Sequence, residues 1–116
     1  MAPEPVRGPI GQQGEFAVDA EFDPPRMTLA PKGDLDLAGA PWLEREVEAL
    51  PWAQLTELVI DLAEVTFIDS MGLSVLIRAS ERAATAGLRF SVVRAPEQPR
   101  RLFTLAGVAE SLNVQP

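Results

Sequence analysis

Residues 59–80, VIDLAEVTFIDSMGLSVLIRAS, change their apolar period in mid-stretch, and this change constrains the fold more than any other feature. Leu58, Val59, Ile60 and Leu62 form a nearly unbroken apolar run, the pattern of a strand covered on both faces. A second apolar knot, Val65, Phe67 and Ile68, ends at Asp69. Beyond it Leu73, Leu76, Ile77, Ala83 and Ala84 fall on one stripe of a 3.6-residue helix. Asp69 and Ser70 therefore stand at the start of that helix, where the first backbone N–H groups lack partners, and both are strong N-cap types. Met71, Ser74, Val75 and Arg78 lie off the stripe and are expected to form a face toward a partner.

The remaining elements follow in order. Residues 1–14 hold three prolines and three glycines without a periodic apolar pattern, and read as a disordered tail ahead of a single domain over 15–116. Phe16, Val18, Ala20 and Phe22 alternate with polar residues as in a half-buried strand. Asp23, Pro24 and Pro25 end it, and 26–32 is expected to return antiparallel, leaving the first strand at the sheet edge. Gly33-Asp34-Leu35-Asp36 reads as a turn into a helix over 40–50 with Leu43, Val47 and Leu50 inward and Pro41 in its first turn. A strand over 88–93, a short helix over 96–105 and an edge strand over 112–114 complete the pattern. Strands alternating with helices predict an α/β fold.

Composition excludes several classes of function. The 116 residues include no histidine and no cysteine, which rules out Ser-His-Asp and Cys-His nucleophile systems, disulfides and thiolate metal sites. Lys32 is the only lysine, so a receiver-type phospho-acceptor role for Asp61 lacks its usual lysine partner. The paired carboxylates Asp34 and Asp36 lack the further oxygen ligands that a cation needs. A net charge of −7 argues against nucleic acid or an anionic membrane surface as the main partner. The charge is also divided: fourteen acidic and four basic residues up to Asp69, three and six after it. No stretch approaches the ~20 apolar residues of a membrane span, and the N-terminus lacks an apolar signal region, so a cytoplasmic protein is expected.

Taken together, Gly33-Asp34-Leu35-Asp36, Ile60-Asp61-Leu62, Phe67-Ile68-Asp69-Ser70-Met71-Gly72-Leu73 and Arg101-Leu102-Phe103 with Gly107 resemble a STAS domain of the stand-alone anti-sigma factor antagonist kind. The resemblance implies a small mixed, mostly parallel sheet flanked by helices and a protein that is not an enzyme. It further implies partner switching, in which an anti-sigma factor serine kinase phosphorylates Ser70 and releases the antagonist, and a serine/threonine phosphatase restores binding. ATP would belong to the kinase, and no cofactor or metal is implied for this chain. By the same resemblance Asp69 is the motif neighbour, Gly72 and Leu73 complete the turn and its packing, and Asp34 and Asp36 lie near the same surface. Met71 departs from the family, where a small polar residue is usual, and sets an apolar side chain beside the serine. The alternative is a STAS subunit of a lipid-transport or transporter assembly in which Ser70 is never modified.

Overall fold

A computed structural model describes residues 10–13 and 16–116. Its elements are β1 (Ile10–Gln13), β2 (Phe16–Asp23), β3 (Arg26–Leu35), α1 (Ala40–Glu48), β4 (Glu57–Asp61), β5 (Val65–Ile68), α2 (Ser70–Thr85), β6 (Arg89–Val93) and α3 (Glu97–Ala106). The strands form one mixed six-stranded sheet in the order β1-β2-β3-β4-β6, with β5 also paired to β3. The pairs β1–β2 and β2–β3 are antiparallel, whereas β3–β4, β3–β5 and β4–β6 are parallel. This is the α/β class expected from the alternation of strand and helix patterns.

β3 is the strand on which the sheet turns. Its first half, Arg26 to Leu29, pairs with Glu57 to Ile60 of β4, and its last residues, Gly33 to Leu35, pair with β5. The register shifts between Gly33 and Asp34, and Gly33 has φ +100°, a conformation that glycine adopts without a Cβ penalty. The Gly33 N–H is satisfied by the Glu64 carbonyl at 3.0 Å. The segment 33–36, read from sequence as a turn, is thus mostly strand, and the turn begins only at Asp36.

The core follows the apolar periods. Val18, Leu29, Leu35, Leu43, Leu58, Ile60, Leu62, Leu76, Val92, Phe103 and Leu112 are wholly enclosed. β2 and β3 bury alternate residues, whereas Leu58, Val59 and Ile60 of β4 are all buried, as an inner strand requires. α1 and α2 pack against each other, α2 also lies on β5 and β6, and α3 lies on β5.

Four expectations need correction. β1 pairs outside β2, so β2 is not the edge, and residues 10–13 of the segment read as a tail form a strand. Residues 1–9 and 14–15 of that segment lie outside the described residues. The final edge strand is reduced to one parallel bridge, Val92 to Val114, preceded by Asn113 at φ +51°. Val75, assigned by spacing to a partner face, is 3% exposed. α2 has two neighbours, the sheet and α1, so its buried arc widens from Leu73, Leu76 and Ala83 to take in Gly72, Val75 and Ala79, while Ile77 is only half-buried and Ala84 is exposed.

Two stability outcomes follow from this architecture. Gly33→Ala should cost about 1–3 kcal/mol through its positive φ, read as a lower denaturation midpoint in urea. Val75→Ala should cost about 1.5 kcal/mol or more, at ~0.8 kcal/mol for each buried methyl or methylene removed, and a cost below ~0.5 kcal/mol would return Val75 to the surface.

Candidate functional site

The site lies where β3 and β5 end and α2 begins. Asp69 is the N-cap of α2, with extended backbone at φ −114° and ψ −169°. Its Oδ1 accepts from the Met71 N–H at 2.8 Å and the Gly72 N–H at 3.2 Å, and its carbonyl accepts the Leu73 N–H at 2.9 Å. Ser70 is consequently the first helical residue rather than the cap, and it is exposed. Its hydroxyl has no protein partner among the described residues, unlike those of Ser80 and Ser111, which donate to carbonyls of their own turns.

Gly72 determines how closely this turn can approach the sheet. A Cβ built on it would lie 2.1 Å from the Leu35 carbonyl oxygen, 2.8 Å from Leu35 Cγ and 2.9 Å from Ile68 Cγ1. Backbone cannot yield to such an overlap as a flexible side chain could, so any larger residue would lift the helix start off β3. The Asp69 N–H reaches the same Leu35 carbonyl at 3.4 Å. The Asp-Ser-x-Gly spacing therefore has a plain physical meaning: a cap, an exposed hydroxyl, and a glycine where helix and strand backbones meet.

The other expected residues divide into those at this end and those elsewhere. Asp36 Oδ1 accepts from Ala38 N and Gly39 N, both at 3.0 Å, folding the turn into α1. Asp34 is exposed and accepts the Thr66 hydroxyl at 2.6 Å across the β3–β5 pair. Met71 is 45% exposed beside Ser70. Ser74 is half-buried, and its hydroxyl accepts from Arg78 Nη1 at 2.7 Å, while Arg78 also holds Glu44 of α1 at 2.8 and 2.9 Å. Arg78 is therefore a bridge between helices, and Val75 is buried between them. Asp61 accepts the Ala63 N–H at 3.0 Å and binds Arg94, whose pKa this hydrogen bond raises.

Sequence reasoning missed three contributors. Phe67 and Leu37 are 43% and 69% exposed, so with Met71 this end of the sheet carries three large apolar side chains in water. Phe67 belongs to the apolar knot Val65, Phe67 and Ile68, yet β5 is buried only at its ends, Val65 and Ile68, and its two middle residues are exposed. Gln98 of α3 was not singled out, yet its side-chain amide pairs with both backbone groups of Ile68. Among the described residues, no group of three or more acidic side chains is arranged to hold a metal ion, and no helix is long and apolar enough to cross a membrane.

With this geometry in hand, the similarities to known proteins are specific. The family model described as Mlab, STAS domain matches residues 16–115. The anti-sigma-F factor antagonist RsfB of Mycobacterium tuberculosis, from two strains, is 33% identical over 82 residues covering 71% of this chain. The match spans 66% of the length of those relatives. The crystal structure of an anti-sigma factor antagonist from Mycobacterium paratuberculosis superposes with a TM-score of 0.78 at 28% identity, covering 87% of this chain and 86% of that one. The anti-sigma factor antagonist SpoIIAA in its unphosphorylated form gives a TM-score of 0.72 over 86% and 89% of the two chains. Its 15% identity makes that a likeness of fold alone.

Asp69→Ala should lower stability by about 0.5–2 kcal/mol through loss of the cap, while Ser70→Ala should leave it within ~0.5 kcal/mol. Thermal melts of the two variants check the assignment, and the reverse order would make Ser70 the cap. Gly72→Ala should cost about 1–3 kcal/mol or more by overpacking.

Proposed function

This chain belongs to the STAS domain family, and on that premise we propose that it is an anti-sigma factor antagonist switched by phosphorylation of Ser70. The observation that carries the reading is the exposed, unbonded Ser70 hydroxyl on a turn whose cap is supplied by its neighbour. Because Asp69, not Ser70, satisfies the Met71 and Gly72 N–H groups, modification of the hydroxyl breaks no hydrogen bond among the described residues. The resemblance to antagonists supplies the partners: an anti-sigma factor serine kinase that binds the dephosphorylated chain, and a serine/threonine phosphatase that regenerates it. Binding would free the sigma factor for transcription.

The electrostatics support a switch that acts on the partner rather than on the fold. A phosphate on Ser70 adds about −1.5 to −2 charge at pH 7. A helix N-terminus ordinarily welcomes an anion through its free N–H groups, but here the Asp69 carboxylate already occupies two of them. The phosphate therefore stays in water beside an existing negative charge. A partner that covers Met71 and the turn must desolvate both, and leaving such a charge buried without its match costs about 2–5 kcal/mol, or roughly 30-fold to several thousand-fold in affinity. Leu37, Phe67 and Met71 give that partner apolar surface to cover, and Asp34, Asp36 and Asp69 give it carboxylates to meet.

Ser70→Ala should bind the anti-sigma kinase as the wild type does and resist phosphorylation, whereas Ser70→Asp should fold and bind at least about tenfold more weakly, a loss of ~1.4 kcal/mol. Isothermal titration against the kinase decides it. Equal affinities for all three would place Ser70 outside the interface and favour a STAS subunit of a transporter assembly, in which the serine is not modified.

A further inference from the structure

β5 is four residues long and ends one residue before the Asp69 cap. One of its edges pairs with β3, Leu35 standing opposite Ile68. Among the described residues no strand pairs with its other edge. There the side chain of Gln98, in the first turn of α3, takes the place of a neighbouring strand: its Oε1 accepts from the Ile68 N–H at 2.9 Å, and its Nε2 donates to the Ile68 carbonyl at 2.9 Å. The two bonds lie on one planar amide, so they fix the orientation of the Ile68 peptide groups as well as their position. Glutamate lacks the donor, lysine and arginine lack the acceptor, and asparagine is one methylene shorter.

The arm that carries this clamp is itself held. Phe103 of α3 is fully enclosed and Pro99 is buried, and Gly107 ends the helix at φ +71°. Ile68 is 1% exposed and is one of the residues that a Cβ at Gly72 would strike. Ile68 is therefore gripped from β3, from α3 and from α2, and Ser70 follows two residues later.

We propose that Gln98 is a positioning residue for Ser70: by clamping the Ile68 backbone it fixes the direction in which the Asp69-Ser70 turn presents its hydroxyl. The proposal rests on the reading of Ser70 as a modified residue. Its physical basis is that an edge of a four-residue strand left to water frays, and a reacting hydroxyl displaced by about 1 Å loses up to ~100-fold in rate. A residue that merely filled space at 98 would serve stability without fixing that direction.

Gln98→Met keeps length and apolar stem and removes both bonds, and Gln98→Glu keeps the acceptor alone at neutral pH. Two measurements read them in the isolated full chain and with anti-sigma serine kinases plus ATP. In Gln98→Met hydrogen exchange should lose protection at the Ile68 amide relative to wild type at pH 7, whereas in Gln98→Glu the amide keeps its acceptor and the carboxylate set against the Ile68 carbonyl should weaken that protection by a smaller factor. In Gln98→Glu, protection should return as the pH falls below ~4.3, where the protonated carboxyl can again donate to the Ile68 carbonyl. Phosphorylation of Ser70, followed by mass spectrometry at a temperature where every variant is folded, should fall about 10- to 100-fold in kcat in Gln98→Met. Lost protection with an unchanged phosphorylation rate would make the clamp structural only and overturn the proposal, as would unchanged protection at Ile68. A wild-type chain that these kinases leave unphosphorylated sinks the Ser70 reading and the positioning role with it, while the Ile68 exchange still reports whether the clamp exists.

Discussion

The contact between the first turn of α2 and the end of β3 is the constraint on which the rest of the site depends. Helix and strand backbones ordinarily stay apart by the depth of a side chain, since sheets and helices meet through their side-chain layers. At Gly72 that layer is missing, and the helix start descends onto the Leu35 carbonyl. The descent is possible only because β3 reaches that far, and β3 reaches it by changing partner from β4 to β5 at the Gly33 bulge. Two glycines on different elements, each needed for a different reason, thus bring the Asp69-Ser70 turn to the rim of the sheet. The short strand β5 gives the turn its direction, and the Leu35 and Gln98 contacts on its two edges keep that direction from drifting.

The uneven charge of the sequence finds its explanation in the same geometry. Cations from the second half of the chain meet carboxylates from the first: Arg78 with Glu44, Arg89 with Glu57, and Arg94 with Asp61. Each of these is a surface pair worth about 0–1 kcal/mol, so they contribute little to stability. What they accomplish is distribution. Among the described residues, Asp34, Asp36 and Asp69 form no ion pair, and the carboxylates without a counter-charge include the three that sit near the end of β3 and the start of α2. The polarity read along the chain is thus neutralised in part across the fold, and the site is one of the places where carboxylates are left without a cation among the described residues.

What the sequence disclosed and what it hid divide along one physical line. The change of period at Asp69 was legible because it depends on residues a few positions apart, and so were the α/β class, the exposed Ser70 and the termination of α3 at Gly107. The features that stayed hidden depend on distant neighbours. Val75 lies off the stripe that a helix on a sheet alone would bury, and only α1 alongside makes it core. Ile10–Gln13 carries no alternation of its own and is a strand because β2 offers it an edge. The grip of Gln98 on Ile68 spans thirty positions and involves a residue type common on any helix surface. Arg78 looked free and is committed to Glu44, thirty-four positions away.

Exposed apolar area and unpaired carboxylates at one rim restrict the kind of surface that can cover them. Leu37, Phe67 and Met71 would draw a complementary face through the release of water, at about 25 cal/mol for each Å² of apolar surface covered, but water excluded from them is excluded from Asp69 as well. A partner must therefore bring cations or hydrogen-bond donors to the carboxylates, and those groups are placed for the charge that the unmodified chain already has. Under the proposed switch, added phosphate would not simply introduce repulsion into a neutral contact. It would oversupply negative charge to a partner whose donors match the unmodified chain, in a region that the apolar side chains would make dry and therefore weakly screened. On the proposed reading, the same three apolar residues that would favour binding of the unmodified chain would also sharpen the discrimination against a modified one, and Met71 is the residue among them adjacent in sequence to the Ser70 hydroxyl.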